Sequence, residues 1–150
     1  MSDLYDNDFV LWSERQSELL RRLASGEPVN ESPDWPNIVE EIESLGKGDK
    51  RAVRSHVATI LLHLIKLQAS PAGEPREGWE DTVFEQRSQL RGLLKDSPSL
   101  RPTIATVIAE ELPDAWERVA RSLSAHGEQA RVDLDSLSFT DEQVLGPWFP

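Results

Sequence analysis

The stretch Val57-Ala58-Thr59-Ile60-Leu61-Leu62-His63-Leu64-Ile65-Lys66-Leu67 decides how the chain folds. Eight of its eleven residues are apolar, and Leu61, Leu62, Leu64 and Ile65 cover most of a helix circumference. A helix that is apolar nearly all round belongs at the centre of a bundle, where neighbours cover every side. His63 and Lys66 interrupt the run, and it is too short to cross a bilayer. The reading is therefore a central core helix, and the neighbouring sequence has to supply its cover.

Upstream, Phe9, Trp12, Leu19, Leu20 and Leu23 recur at helical steps with charges between them. Asp6 and Asp8 suit a helix start, Arg21 and Arg22 a helix end, and Gly26 a stop, which predicts a first helix over residues 8–24. Residues 25–33 hold Gly26, Pro28, Asn30, Ser32 and Pro33 and read as a loop. Pro36 suits a first helical position, and Ile38, Ile42 and Leu45 mark a helix whose other face carries Glu40, Glu41 and Glu43. At Gly46 to Gly48 two outcomes are open. Two glycines cost about 1 kcal/mol each in a helix interior, which favours a break. The absence of proline and the Glu43–Lys47 pairing favour one continuous, bent helix over residues 36–69, about 50 Å long.

Downstream, residues 70–78 contain Pro71, Gly73, Pro75 and Gly78 and form a loop. Trp79, Val83, Gln86, Leu90 and Leu93 then make a seam of heptad type, closed by Lys95 and Ser97-Pro98. Leu100, Ile104, Val107, Ile108, Leu112, Trp116, Val119 and Leu123 keep one phase through Pro113, which predicts a single kinked helix over residues 98–125. Thr140-Asp141-Glu142-Gln143 reads as a capping box opening a short terminal turn, with Trp148 and Phe149 folded back on the bundle. No strand pattern, repeat or low-complexity tract is found. The predicted fold is a single all-α domain, a helix bundle of four or five main helices.

Composition limits the chemistry. With 16 Lys plus Arg against 27 Asp plus Glu, the net charge is −11. That opposes sequence-independent binding to nucleic acid or to an anionic membrane. The absence of cysteine excludes disulfides, thiolate metal sites and cysteine nucleophiles. The start Met1-Ser2-Asp3-Leu4-Tyr5-Asp6 has no basic, apolar leader pattern, so a cytoplasmic location is expected.

The chain resembles the bacterial, largely cyanobacterial, domain-of-unknown-function family 29. The resemblance rests on Leu4-Tyr5-Asp6 with Asp8-Phe9 and Trp12, on Glu40-Glu41-Ile42-Glu43 with Leu45-Gly46, and on Leu61-Leu62-His63-Leu64 with Lys66 and Gln68. It continues through Pro71, Trp79, Leu93-Leu94, Asp96-Ser97-Pro98-Ser99-Leu100 and the last residues from Thr140 to Pro150. Lys47-Gly48 departs from the more polar, serine-containing linker expected at that point. The resemblance implies an all-helical fold and an uncharacterised role, with no catalytic residues to carry over.

Glu40, Glu41 and Glu43 with His63 are the first candidate constellation, because carboxylates and a histidine inside a bundle can hold a transition metal. The Glu-x-x-His spacing of di-iron bundles is missing, and on a continuous helix Glu43 and His63 lie about 30 Å apart. A solvated acidic face is the plainer reading. Arg51–His56 and Arg121–His126 share the Arg-x4-His spacing of the small helical HEPN ribonucleases, a spacing that 12 arginines and 3 histidines also produce by chance. No cofactor is identifiable, and no Gly-x-Ser-x-Gly elbow or phosphate loop is present.

Two functional classes follow. One is an interaction or scaffold module that buries an apolar helix stripe in a homodimer or a protein partner. The other is a small metal-binding or hydrolytic bundle. Glu40, Glu43, His63 and Gln86 are the candidate polar cluster. His63 and Gln86 are expected at one level of two antiparallel helices, bonded directly or through one water.

Overall fold

The computed structural model describes residues 3–150; Met1 and Ser2, part of the leader argument, lie outside the described residues. These residues form six α-helices and two 3₁₀ turns, with no strand among them. The chain divides into two compact units, Met1–Gly48 and Asp49–Pro150.

In the first unit, α1 spans Asp3–Asn7 and α2 spans Phe9–Ala24. Asp8 separates them as the N-cap of α2, its carboxylate accepting from the Leu11 N–H at 3.0 Å. At the other end Gly26 takes φ +82°, and the N–H groups of Gly26 and Glu27 donate to the carbonyls of Leu23 and Arg22. This Schellman closure needs the left-handed conformation that glycine adopts without cost. Trp12 is buried, and its indole N–H donates to the Asp34 carboxylate at 3.0 Å. The Asp34 N–H donates to Gln16 Oε1 at 2.7 Å. These two bonds moor the loop ahead of α3, which spans Trp35–Ala69, onto α2.

The open question at Gly46 and Gly48 is answered by continuity: α3 is helical from Trp35 to Ala69. A Cβ at either glycine would meet no atom within 4 Å, so neither is required by crowding inside the chain. Their helix cost is offset by the rest of a 35-residue element, whose later part supplies core residues.

In the second unit, Val53, Val57, Ile60, Leu61, Leu64, Ile65 and Leu67 of α3 are buried, as a helix apolar all round should be. They pack in one core with α4 (Arg76–Asp96), α5 (Ile104–Ala125) and α6 (Asp141–Leu145). Two boundaries differ from the sequence reading. Helix α4 starts at Arg76, before Gly78, because a single glycine with nothing crowding it does not stop a helix. Residues Pro98–Thr103 are a 3₁₀ turn with Pro98 and Pro102 inside it, so the expected helix from 98 is α-helical only from Ile104. From there it runs through Pro113 as one element and ends at Gly127, φ +65°, in a second Schellman closure. The Thr140 capping box is present in both halves, and Trp148 and Phe149 pack against the core.

Candidate functional site

The most unusual surface belongs to the first unit. Among the described residues, ten large apolar side chains are exposed, and eight of them are Phe9, Val10, Leu11, Leu23, Trp35, Val39, Ile42 and Leu45. Among the described residues of this unit, the buried apolar side chains are Trp12, Leu19 and Ile38. Trp35, Val39, Ile42 and Leu45 follow one another at steps of four, three and three residues, which puts them on one side of α3. Ile42 is 64% exposed and Leu45 73%. Beside this stripe Tyr5, Phe9 and Trp12 form an aromatic trio, with Tyr5 and Trp12 ring centroids 4.8 Å apart.

The first unit is the more acidic of the two. The first unit has eleven acidic and four basic side chains, a net of −7, against twelve basic and sixteen acidic, a net of −4, in the second. Glu40 and Glu43 are exposed on α3, and neither makes an ion pair among the described residues. Glu41 is engaged by the Tyr5 hydroxyl, and that bond, with the adjacent negative charge, pushes the phenol up to about 12.

In the second unit no direct bond joins His63 and Gln86. Gln86 Oε1 lies 2.6 Å from His56 Nδ1, and His63 Nδ1 lies 2.8 Å from the Thr59 carbonyl in the preceding turn. The cause is register. With α4 starting near Arg76, Gln86 sits about ten residues into it and meets α3 well before its end, at His56. His56 and His63 share a flank of α3 two turns apart, and Gln86 meets that flank at the earlier turn. Burial lowers the pKa of His63, and the Thr59 carbonyl raises it less; the ring is neutral at pH 7.

Gln86 is also not the polar residue of the core stripe on α4. The buried positions are Val83, Arg87, Leu90 and Leu94, at steps of four, three and four. Arg87 is only 2% exposed. Its guanidinium donates to the carbonyls of Val144 (2.9 Å), Gln143 (2.6 Å) and Trp148 (2.6 Å) and lies 4.8 Å from the Phe149 ring centroid. Arg91 donates to the Leu145 carbonyl at 2.9 Å. Burial, with Arg91 adjacent, lowers Arg87 to about 10, so it stays charged at neutral pH. The two arginines bind the carbonyls that end α6, where the helix dipole favours cations.

The polar candidates thus do not assemble into one centre within either unit. Glu40 and Glu43 belong to the first, and His63 and Gln86, each with a different partner, to the second. No group of three His, Asp or Glu side chains among the described residues is arranged to hold a metal ion. A cleft of about 460 Å³ is lined by Lys50, Arg51, Arg54, Thr103, Thr106 and Glu110 over apolar Val53, Leu100 and Val107. Arg54 there is held by Glu110 and by Glu111 at 2.6 Å. Of the Arg-x4-His pairs, His56 is bonded to Gln86, and His126 Nδ1 faces the Ser122 carbonyl at 2.7 Å. No described helix is long and apolar enough to cross a membrane.

The chain belongs to the family described as Domain of unknown function DUF29, whose model matches residues 4–149. No curated protein and no solved structure gives a match.

Proposed function

We propose that this member of the family is a helical interaction module whose contact surface is the apolar face of its first unit. One observation carries the reading: among the described residues, 3 of the 25 buried apolar side chains lie in the first unit, and 8 of the 10 exposed large ones do. Chains of this size cannot bury all their apolar surface, yet a cluster of this kind, with Trp and Phe in it, marks contact sites. That the family model begins at residue 4 supports the unit as part of the domain rather than an appendage.

Self-association in a homodimer is one mode of such a module, and docking of a protein partner is the other. A homodimer through this face brings two units of net −7 together, so its formation should strengthen with salt, which screens the repulsion. Sedimentation of the chain at rising concentration in low and high salt reads this directly. The Ile42→Asp/Leu45→Asp variant tests the face itself. It should keep the helical circular dichroism and lose any association. Association that survives the double substitution would overturn the proposal.

A further inference from the structure

We infer that the occupant of the first unit's apolar face is a basic amphipathic helix of a partner protein. The inference rests on the interaction-module reading and adds the chemistry of the partner.

Shape favours a helix. The stripe Trp35, Val39, Ile42 and Leu45 covers about three helical turns, roughly 15 Å, at the spacing that receives apolar anchors repeating at i, i+3 or i+4 and i+7. Nothing in the stripe offers backbone groups for strand addition, because α3 satisfies its own ladder.

Charge favours a basic partner. Glu43 lies one turn after Val39 at the edge of the stripe, exposed and without an ion pair among the described residues, and Lys47 is the only cation on the α3 segment of this unit. On α2 and its flanks Asp6, Asp8 and Glu14 are exposed near Phe9, Val10 and Leu11 with Arg15 beside them, Glu18 is paired with Arg21 at 3.6 Å, and the unit as a whole carries a net −7. A helix with an apolar stripe edged by Lys or Arg matches both features at once. A second copy of the chain matches the apolar feature and repels through the acidic one. An anionic lipid surface is repelled likewise.

The test uses the full chain and a labelled synthetic helix of about 18 residues, Leu at heptad positions and Lys elsewhere. Two control peptides replace Lys by Glu, or keep the composition and scramble the Leu spacing. Fluorescence anisotropy should show binding of the first peptide that weakens with added salt. The Glu peptide and the scrambled peptide should each bind about tenfold more weakly or worse. Ile42→Asp should abolish binding, and Glu43→Gln should weaken it severalfold and more than Glu40→Gln does, all with unchanged circular dichroism. Equal binding of the Glu peptide would overturn the partner chemistry and leave the contact face standing. Binding indifferent to Ile42→Asp would overturn the face as well. No peptide binding with a doubled mass would assign the face to a second copy, and no binding with a monomer mass would overturn both statements.

Discussion

Helix α5 and helix α2 have similar amphipathic sequences and different fates. In α5, seven side chains from Ile104 to Leu123 are buried, at least one on every turn, against α3 and α6 side chains of the same unit. In α2, sixteen residues bury only Trp12 and Leu19, while Phe9, Val10, Leu11 and Leu23 stay out. The difference is in the partners that each unit supplies. Residues 49–150 bring enough apolar helices together to cover one another, and 22 side chains enter a single core. Residues 1–48 bring one short helix, one of sixteen residues and the start of α3. That is too little to close a core, so hydrogen bonds from the Trp12 indole to the Asp34 carboxylate and from the Asp34 N–H to Gln16 carry more of the local organisation. A periodic apolar pattern therefore predicts a helix in both places and a buried face in only one.

The strongest way to break this comparison is to truncate one side chain from each unit. Leu64 is fully buried, so Leu64→Ala should cost about 2–5 kcal/mol from lost burial and the cavity left behind. Ile42→Ala, at an exposed position, should change stability by less than about 0.5 kcal/mol. Urea unfolding monitored by circular dichroism gives both values. A cost at Ile42 approaching that at Leu64 would mean that the stripe is covered in the free protein, and the contact-surface reading would fall with it.

Next in size is Arg87. Arg87→Met keeps the apolar stem and removes the donors to Gln143, Val144 and Trp148, which should cost about 1–3 kcal/mol. The loss should be local, and limited proteolysis should cut the C-terminal residues after Leu137 faster than in the parent. The pH dependence has a definite sign. The folded-state pKa of about 10 lies below that of a free guanidinium, so above pH 10 the unfolded chain binds more protons than the folded one and stability contributed by this group rises with pH there. Arg87→Met should remove that rise.

The sequence displays the helices of both units because periodicity and punctuation are local. Gly26 and Gly127 stop helices where φ must be positive, and Thr140 with Gln143 caps α6 as its spacing requires. Features set by distant partners are not displayed in this way. Gly78 resembles the stopping glycines in sequence, but φ there is ordinary and the helix runs through it. That shift of α4's start moved Gln86 opposite His56 in place of His63. Arg87 was legible in principle: Val83, Arg87, Leu90 and Leu94 keep a strict four-three-four spacing. A charge on a core stripe is easily assigned to solvent, and its partners lie more than fifty residues away in the tail. Exposure of Ile42 and Leu45 was legible only through length, since a helix over residues 36–69, about 50 Å long, carries an apolar stripe that wants a partner; the periodic pattern alone looks the same whether or not the chain supplies its cover.

His63 gives a smaller effect, confined to acid pH. Its pKa is lowered by burial, so the folded protein binds fewer protons than the unfolded chain below the ordinary 6.5. The stability it contributes is present above that value and is lost as pH falls through the lowered pKa. The ring-proton resonances of the three histidines should therefore titrate with His63 at a midpoint below 6.5. A midpoint above it would place a carboxylate beside the ring and revive an acid–base role.

The smallest expected effect probes the first unit alone, through its single tyrosine. The Tyr5 hydroxyl donates to Glu41, and ionising the phenol would remove that donor and set two negative charges together. The folded-state value of about 12 lies above the ordinary 10, so the folded protein holds the proton longer. The stabilisation from this bond is therefore fully present below pH 10 and is lost as pH rises towards 12, the opposite slope to that of Arg87 in the second unit. Because no other tyrosine is present, the phenolate absorbance reports this one group. Its midpoint should lie near 12 in the parent and move towards 10 in Glu41→Gln, which keeps an acceptor and removes the charge. An unshifted midpoint in the parent would mean that α1 leaves α3 in solution, and the aromatic trio would then be part of the exposed surface.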